Sequence, residues 1–315
     1  MAPDFLAWAD ALVEPTDAAR RPHLTWRKLW AEVARVIRHA PDVVSARAVG
    51  ESVEGEPLWA ITVAHPRAVG PPVLVVAGLH ALEHIGPVTA MRLIQRAAGG
   101  AHGSWATRRL VVVPVANPDG WRAVEGSLAA GKPPLRRANA NGVDLNRNFA
   151  VGWREKPLLA RLLPRVFAPG DAPLSEPETR ALDAIAEEER PRVFASLHAF
   201  GEWIYLPYAG RREPPADLAA HEDAARRMCA KMAFPYRVMP LARRSRLFSA
   251  PGAEIDHMHD RHGALSFLLE LGPGPRLGDP RSWLDVYRWY TPPPEELDAE
   301  VANVLPALDV LGELT

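Results

Sequence analysis

Apolar positions along the chain follow two patterns, one typical of buried strands and one typical of helices. Continuous apolar runs predict strands that are covered on both faces; they lie at 73–79, 110–116, 192–199 and 264–271. Helical spacing predicts helices before, between and after these strands, at 24–38, 86–98, 175–189, 217–233 and 294–311. The stretch 44–64 predicts two more strands joined by a turn. Strands that alternate with helices indicate an α/β fold with helices on both faces of the sheet.

Local signals refine this division of the chain. Ser175 with Glu178 three residues later predicts the N-terminal cap of a helix, and residues 120–150, rich in Gly, Asn and Arg, predict a loop. No repeat or linker divides the chain. We therefore expect a single domain at residues 25–315, preceded by an N-terminal extension at 1–24.

Composition narrows the classes of function. The chain has 37 Lys and Arg against 38 Asp and Glu, so its charge does not indicate a nucleic-acid or membrane partner. Cys229 is the only cysteine, which excludes an intrachain disulfide and a cysteine-rich zinc module. The first residues lack a basic segment followed by a long apolar one, so we expect no secretion signal, and no run of 18 apolar residues occurs. These features predict a cytoplasmic protein, and they leave its oligomeric state open.

Polar and ionisable residues lie at the carboxyl ends of four of the predicted strands. They are His80, Asn117, His198 and Glu270. In α/β sheets, ligands bind beyond the carboxyl ends of the strands. We therefore expect these four side chains to converge on one site.

The segment His80-Ala-Leu-Glu-His84 offers metal ligands in two alternative ways. His80 and Glu83 lie three positions apart, and His80 and His84 lie four apart, so a helical turn can direct either pair at one point. The order H-x-x-E-H also matches the inverzincin metallopeptidases, in which His80 and His84 would bind zinc and Glu83 would be the general base. These five residues leave both pairings open.

A second motif adds groups suited to a carboxylate ligand. Residues 142–149 read GVDLNRNF. The planar guanidinium of Arg147 can hold a carboxylate through two hydrogen bonds, and Asn146 can donate a third.

The chain resembles the carboxypeptidase A-like, or funnelin-type, zinc metallocarboxypeptidases. The resemblance covers about residues 25–290. It is carried by AVGESVEGEPL (48–58), GLHALEHIGP (78–87), NPDGW (117–121), RANANGVDLNRNF (137–149), SEPETRAL (175–182), SLHAFGEWIYLPY (196–208) and SFLLEL (266–271). It implies the zinc carboxypeptidase fold, a single α/β domain on a mostly parallel, mixed and twisted sheet.

The resemblance also implies a metal set. His80, Glu83 and His198 would bind one zinc ion per chain and leave a fourth position for water, as a catalytic zinc requires. Asp144 would accept a hydrogen bond from His80 and so fix its tautomer. In this arrangement His84 is a neighbour of the metal and not a ligand.

The remaining implied roles concern the substrate. Glu270 would be the general base and Arg137, rather than the adjacent Arg136, would stabilise the oxyanion. Asn146 and Arg147 would hold the terminal carboxylate of a peptide. The expected activity is hydrolysis of C-terminal peptide bonds, with peptidoglycan-derived peptides as one candidate substrate class.

The sequence departs from the secreted digestive members at several positions. Leu82 stands where those enzymes often have arginine, and Phe248 aligns with the mobile active-site tyrosine. Ile255, expected near the side-chain pocket, argues against a basic C-terminal residue, although Glu254 and Asp256 flank it. The chain is more similar to bacterial non-secreted members.

Two other functions compete with this interpretation. An amidohydrolase of the succinylglutamate desuccinylase and aspartoacylase type would cleave an N-acyl amino acid, which also carries a free carboxylate. A catalytically silent peptide-binding module would keep the fold without the chemistry. The complete set of His80, Glu83, His198 and Glu270 argues against the silent module.

Overall fold

The structure, a computed structural model, describes residues 3–14, 25–100, 103–153, 167–244, 249–275 and 284–314. In this part of the chain the strands are β1 (Val44–Glu51), β2 (Pro57–Val63), β3 (Val73–Ala77), β4 (Leu110–Val113), β5 (Val193–His198), β6 (Trp203–Leu206), β7 (Arg237–Pro240) and β8 (Leu265–Glu270). The helices are α1 (Phe5–Ala11), α2 (Trp26–His39), α3 (Ile85–Ala98), α4 (Pro118–Ala129), α5 (Pro177–Glu189), α6 (Leu218–Cys229), α7 (Glu254–Asp260), α8 (Tyr287–Tyr290) and α9 (Pro294–Leu311).

The eight strands form one mixed sheet in the order β1-β2-β4-β3-β5-β8-β6-β7. The central strands β4, β3, β5 and β8 are parallel to one another. Antiparallel pairs extend the sheet on both sides, β1 with β2 and β2 with β4 on one, β6 with β8 on the other. This architecture confirms the predicted α/β fold.

Helices cover both faces because consecutive residues of the central strands point to opposite sides. Val73, Val75 and Ala77 of β3 belong to the larger core cluster, which contains residues of α1, α2, α3, α6 and α9. Leu74 and Val76 belong to a second cluster, which contains residues of α5 and α7. The central strands are therefore buried on both faces, as their continuous apolar runs predicted.

The N-terminal helix α1 packs against the larger core. The ring centroid of Phe5 lies 4.9 Å from that of Trp59 and 5.9 Å from that of Trp30. The predicted boundary of the catalytic domain lies between residues 24 and 25. The segment 15–24, directly before it, lies outside the described residues. The division into an extension and a domain stays a prediction.

Three local predictions need correction. Residues 118–129 form helix α4 instead of a loop, because the Asn117 side chain accepts a hydrogen bond from the N–H of Gly120 and Pro118 takes the first helical position. Helix α5 begins at Pro177 with Glu176 as its cap, since the hydroxyl of Ser175 bonds to Asn148 and Glu176. The pattern also missed the short elements α1, β6, β7 and α7.

Among the described residues, no helix combines the length and the apolar character needed to cross a membrane.

Candidate active site

The site lies at the carboxyl ends of the central parallel strands. His198 is the last residue of β5 and is paired in register with Glu270, the last residue of β8. His80 and Glu83 lie in the turn between β3 and α3. Parallel strands end at the same edge of a sheet, so the fold brings His80, His198 and Glu270 together as predicted. Asn117 instead caps α4 and does not line the described part of the cleft.

A glycine allows this turn to approach β5. A Cβ atom at Gly86, in the first turn of α3, would lie 2.6 Å from the carbonyl oxygen of Leu197. Any other residue would therefore push α3 away from the strand that carries His198. Gly86 thus sets the distance between Glu83 and His198.

Three donor atoms converge in a buried cluster. Nδ1 of His80 lies 2.8 Å from Oε1 of Glu83, and Nδ1 of His198 lies 3.0 Å from Oε2 of Glu83. The two Nδ1 atoms are 3.0 Å apart. All three side chains are at most 3% exposed. Two imidazole nitrogens and one carboxylate oxygen are a donor set that zinc prefers.

The outer nitrogen of each histidine contacts a second carboxylate. Nε2 of His80 lies 3.1 Å from Oδ1 of Asp144, and Nε2 of His198 lies 2.5 Å from Oε1 of Glu254. A carboxylate accepts a hydrogen bond, so a proton on each Nε2 would leave the lone pairs of both Nδ1 atoms free to bind a metal ion in the cluster.

The charges of this cluster fit a bound cation. Two Nδ1 lone pairs and the Glu83 carboxylate at these distances repel one another unless a proton or a metal ion lies between them. Burial opposes protonation, but Glu254 and Glu83 raise the pKa of His198 to about 10. Burial also opposes ionisation of Glu83, yet the two histidines hold its pKa well below the ordinary value. The residues present therefore fit a divalent metal ion.

His84 does not join this cluster. Its ring stacks on Trp121, with centroids 4.0 Å apart, and its Nδ1 lies 3.1 Å from the hydroxyl of Tyr287. The fold therefore brings His80 together with Glu83 and His198. It does not place His84 in this group, as the inverzincin pairing of His80 with His84 requires.

Arg137 lies beside the group of His80, Glu83 and His198, called the metal cluster below, and lines the cleft. Its Nε donates to Oδ2 of Asp144 at 3.0 Å, and its Nη1 lies 3.5 Å from Oε1 of Glu83. Burial lowers the pKa of this guanidinium, but the Asp144 carboxylate more than compensates and raises it. The adjacent Arg136 instead donates to the backbone carbonyls of Ala138 and Asn139. Of the two neighbouring arginines, Arg137 is the one directed at the site.

Asn146 and Arg147 come from a 3-10 turn that Asp144 caps. The Asp144 side chain accepts a hydrogen bond from the N–H of Asn146 at 3.1 Å. Gly252, with a φ of +73°, lies so close that a Cβ there would be 2.4 Å from the carbonyl oxygen of Arg147. Asn146 and Arg147 are 4% and 6% exposed, and both line the cleft.

Glu270 lines the same cleft, which has a volume of about 360 Å³. Its Oε2 is shielded from solvent and makes no hydrogen bond to another described residue. This loss of solvent, together with the charge of Glu83, raises the pKa of Glu270 to about 7. A carboxylate with such a pKa can both accept and donate a proton near neutrality.

One predicted substrate contact, Ile255, is not among the residues that line the described part of the cleft. Phe248 lies outside the described residues. Ile255 is fully buried in a cluster with Tyr205, Ala250 and Leu268, which do line the cleft. Ile255 therefore supports the wall from behind, and its effect on the choice of substrate stays a prediction.

Sequence reasoning missed several residues of the cleft. Arg244, Tyr205 and Tyr290 line it, and Glu254 contacts His198 from outside the ligand set. The sequence carried one weak signal for Glu254, an acidic residue in the expected pocket segment. The sequence carried no signal for Tyr290, which lies well after the last strand-end motif in the chain.

Comparison with known proteins agrees with this geometry. The sequence model of the family described as zinc carboxypeptidase matches residues 31–307. Human carboxypeptidase O is 25% identical over 248 residues, which are 73% of this chain and 65% of that protein. Rat carboxypeptidase B is 24% identical over 268 residues, which are 78% of this chain and 62% of that protein. The chain thus spans slightly less than two thirds of the length of these relatives.

Solved structures show the same fold. Carboxypeptidase A from Helicoverpa armigera superposes with a TM-score of 0.77 at 22% identity, covering 98% of this chain and 78% of that one. A metallo-carboxypeptidase from Burkholderia cenocepacia superposes with a TM-score of 0.60 at 19% identity, covering 91% and 69%. Because the family match extends over most of the chain, this protein belongs to the zinc carboxypeptidase family.

Proposed function

We propose that this protein is a zinc-dependent carboxypeptidase that hydrolyses the C-terminal peptide bond of a peptide substrate. One observation carries the proposal. A single cleft is lined by residues of the metal cluster, by Glu270 and by the pair Asn146 and Arg147. An enzyme that removes a terminal residue needs these three elements within reach of one another.

The ligands of the metal would be His80, Glu83 and His198. Zinc held by two histidines and a carboxylate polarises a carbonyl group and lowers the pKa of water in its open position. The chain contributes a buried, oriented donor set, in which Asp144 holds the Nε2 proton of His80.

The terminal carboxylate of the substrate would bind to Arg147 and Asn146. Both side chains are buried, so the guanidinium has lost most of its water and gains from a bound anion. This grip places the last peptide bond, rather than an internal one, beside the metal cluster. It accounts for release of a single terminal residue.

Glu270 would move the proton. It accepts one from the attacking water, forming the carboxylic acid, and then donates it to the leaving nitrogen. Its raised pKa makes both transfers accessible near neutral pH.

Arg137 would stabilise the negative charge that develops on the carbonyl oxygen. Its hydrogen bond to Asp144 fixes the guanidinium before the substrate binds, so little reorganisation is needed in the transition state.

The cleavage of N-acyl amino acids remains the competing activity, since those substrates also present a free carboxylate to Arg147. A direct experiment compares three substrates: a peptide with a free C-terminus, the same peptide amidated at its C-terminus, and an N-acyl amino acid. The expected result is chelator-sensitive release from the free peptide only. Preferential cleavage of the N-acyl amino acid would favour the amidohydrolase, and no chelator-sensitive release from any substrate would favour a silent binding module. The peptidoglycan origin of the substrate and the cytoplasmic location stay predictions.

A further inference from the structure

Glu254 makes the shortest contact to either histidine of the metal cluster. Its Oε1 lies 2.5 Å from Nε2 of His198. Both side chains are fully buried, at 0% and 1% exposure. A carboxylate at this distance from a ring nitrogen accepts a strong, charge-assisted hydrogen bond.

We propose that Glu254 is a positioning residue that holds His198 in the tautomer and orientation needed for metal binding. By accepting the Nε2 proton, it leaves Nδ1 of His198 directed at Glu83 and His80. The proposal rests on the proposed metal set. It adds a second histidine–carboxylate pair to the one that Asp144 forms with His80.

The position of Glu254 is itself fixed by the substrate-binding turn. Its backbone N–H donates to Oδ1 of Asn146 at 2.9 Å. Asn146 therefore connects the first turn of α7 to the loop that would bind the terminal carboxylate. The orientation of His198 is in this way linked to the segment that contains Asn146 and Arg147.

In the described part of the chain, the Glu254 carboxylate has no other hydrogen-bonded side chain that would draw it away from His198. Its Oε2 is shielded from solvent and has no hydrogen-bond partner among the described residues. The contact of Oε1 with Nε2 is therefore the hydrogen bond that this buried side chain makes at the site. Loss of such an outer partner typically lowers metal affinity 10–100-fold.

The test measures zinc affinity by competition with a chromophoric chelator in Glu254→Gln, Glu254→Ala and Asp183→Asn. Asp183 is a matched control, because its Oδ1 lies 2.8 Å from Nε2 of His257, a histidine on α7 that lies outside the group of His80, Glu83 and His198. We expect affinity to fall about 10-fold for Glu254→Gln, which keeps an acceptor, and up to about 100-fold for Glu254→Ala. Asp183→Asn should bind zinc like the unchanged protein.

Unchanged affinity in both Glu254 variants would overturn the proposal, as would an equal loss in Asp183→Asn. His198→Ala separates this result from failure of the metal set. If His198→Ala loses zinc and the Glu254 variants do not, only the role of Glu254 is wrong. If His198→Ala binds zinc normally, the ligand set itself is wrong.

A separate observation concerns the cleft wall that contains Tyr205 and Arg244. The rings of Tyr205 and Trp203 stack with centroids 5.4 Å apart. The guanidinium carbon of Arg244 lies 5.8 Å from the Tyr205 ring and 5.6 Å from the Trp203 ring. The Tyr205 hydroxyl is buried beside the guanidinium of Arg244. The wall thus presents a cation and a polar hydroxyl beside the apolar side chains of Leu241, Ala250, Ala253 and Leu268.

We infer that this wall favours a carboxylate on the side chain of the substrate's C-terminal residue. This inference rests on the proposed function, in which Arg147 binds the backbone carboxylate and leaves Arg244 for a second anion. Three arginines and one acidic residue, Glu270, line the described part of the cleft. A guanidinium close to a phenol matches a carboxylate better than an amide.

The test compares peptides that end in glutamate or glutamine, which differ only in charge. Binding is measured by calorimetry in the Glu270→Gln background, so that hydrolysis does not interfere. We expect the glutamate peptide to bind about 10-fold more tightly, and this preference to disappear when Arg244→Gln is added. Arg243→Gln is the matched control, because Arg243 is exposed and does not line the cleft.

Equal binding of the two peptides would overturn the inference, and so would an equal effect of Arg243→Gln. In those cases Arg244 only packs on the two aromatic rings. Failure of the proposed function has a different sign. In that case the unchanged protein would hydrolyse none of the peptides with a free carboxylate.

Discussion

His198 and Glu270 are register partners at the carboxyl ends of two adjacent parallel strands. One of them belongs to the metal cluster and the other is the expected general base, so the spacing between metal and base is fixed by backbone pairing in the centre of the sheet. Side-chain changes at these positions should therefore alter the chemistry while leaving the strands in place.

The ligand set can be tested by metal content. His198→Ala should abolish tight zinc binding, because it removes one of three donors that lie within 3.0 Å of one another. His84→Ala should retain one zinc per chain, although the loss of stacking on Trp121 should lower the melting temperature. Both values can be read from metal analysis and thermal unfolding of the dialysed proteins. Zinc lost from His84→Ala but kept in His198→Ala would restore the inverzincin alternative.

The carboxylate grip can be tested with Arg147→Ala. Loss of a buried, charge-assisted hydrogen bond should cost roughly 1.5–3 kcal/mol, which is about 10–150-fold in kcat/KM for a peptide with a free C-terminus. Amidated peptides, if hydrolysed slowly, should be little affected because they carry no charge for Arg147 to bind. Steady-state kinetics on the two peptides give the comparison. An equal loss on both would contradict terminal carboxylate binding by this residue.

Arg137 and Arg136 form a natural pair of variant and control. Arg137→Ala should lower kcat by roughly 10²-fold or more and change KM less, since its contact with the oxyanion strengthens only in the transition state. Arg136→Ala should have little effect on kcat, because Arg136 bonds to backbone carbonyls away from the cleft. Kinetics of the two single variants decide the assignment, and the reverse order of effects would assign the role to Arg136.

The sequence predicted the fold and much of the site because both depend on short, local patterns. Continuous apolar runs predicted β3, β5 and β8. Because His80, His198 and Glu270 lie at or just beyond the carboxyl ends of these strands, they were expected at one edge of the sheet. The order of antiparallel strands around this centre was not predictable, since β6 and β7 are only four residues long and carry no strong periodicity.

Contacts between segments that are far apart in the chain could not be predicted from the sequence. Glu254 reaches His198 only because α7 packs beside the turn that contains Asn146, and nothing in the spacing of these residues indicates that contact. The resemblance favoured Arg137 over Arg136, but the local sequence offered no physical reason for that choice. Adjacent residues of a loop point in different directions, and only the folded backbone determines which one faces the metal cluster.

The pH dependence of kcat/KM should report the ionisation of Glu270. The protonated form cannot accept a proton, so the rate should rise with pH as Glu270 ionises. Burial raises its pKa to about 7, and the charge of Glu83 adds to that rise. A bound dication offsets the charge of Glu83, so the midpoint in the metal-loaded enzyme should lie between the ordinary value of 4.5 and about 7. Initial rates at subsaturating peptide test this, and a profile that is flat from about pH 4 to 8 would contradict it.

The last prediction concerns removal of the base itself. Glu270→Gln keeps the shape of the side chain and its capacity for hydrogen bonding but removes its basicity. General base catalysis contributes about 10²–10⁴-fold, so turnover should fall by at least about 10². Zinc content should be unchanged, because Glu270 is not one of the three converging donors. Binding of a peptide with a free C-terminus should also persist, since Asn146 and Arg147 are untouched. Together these three measurements separate a lost base from a lost metal or a lost substrate site. Near-normal turnover with zinc bound would refute the assigned mechanism, and Glu83 would then be the first carboxylate to re-examine as the base.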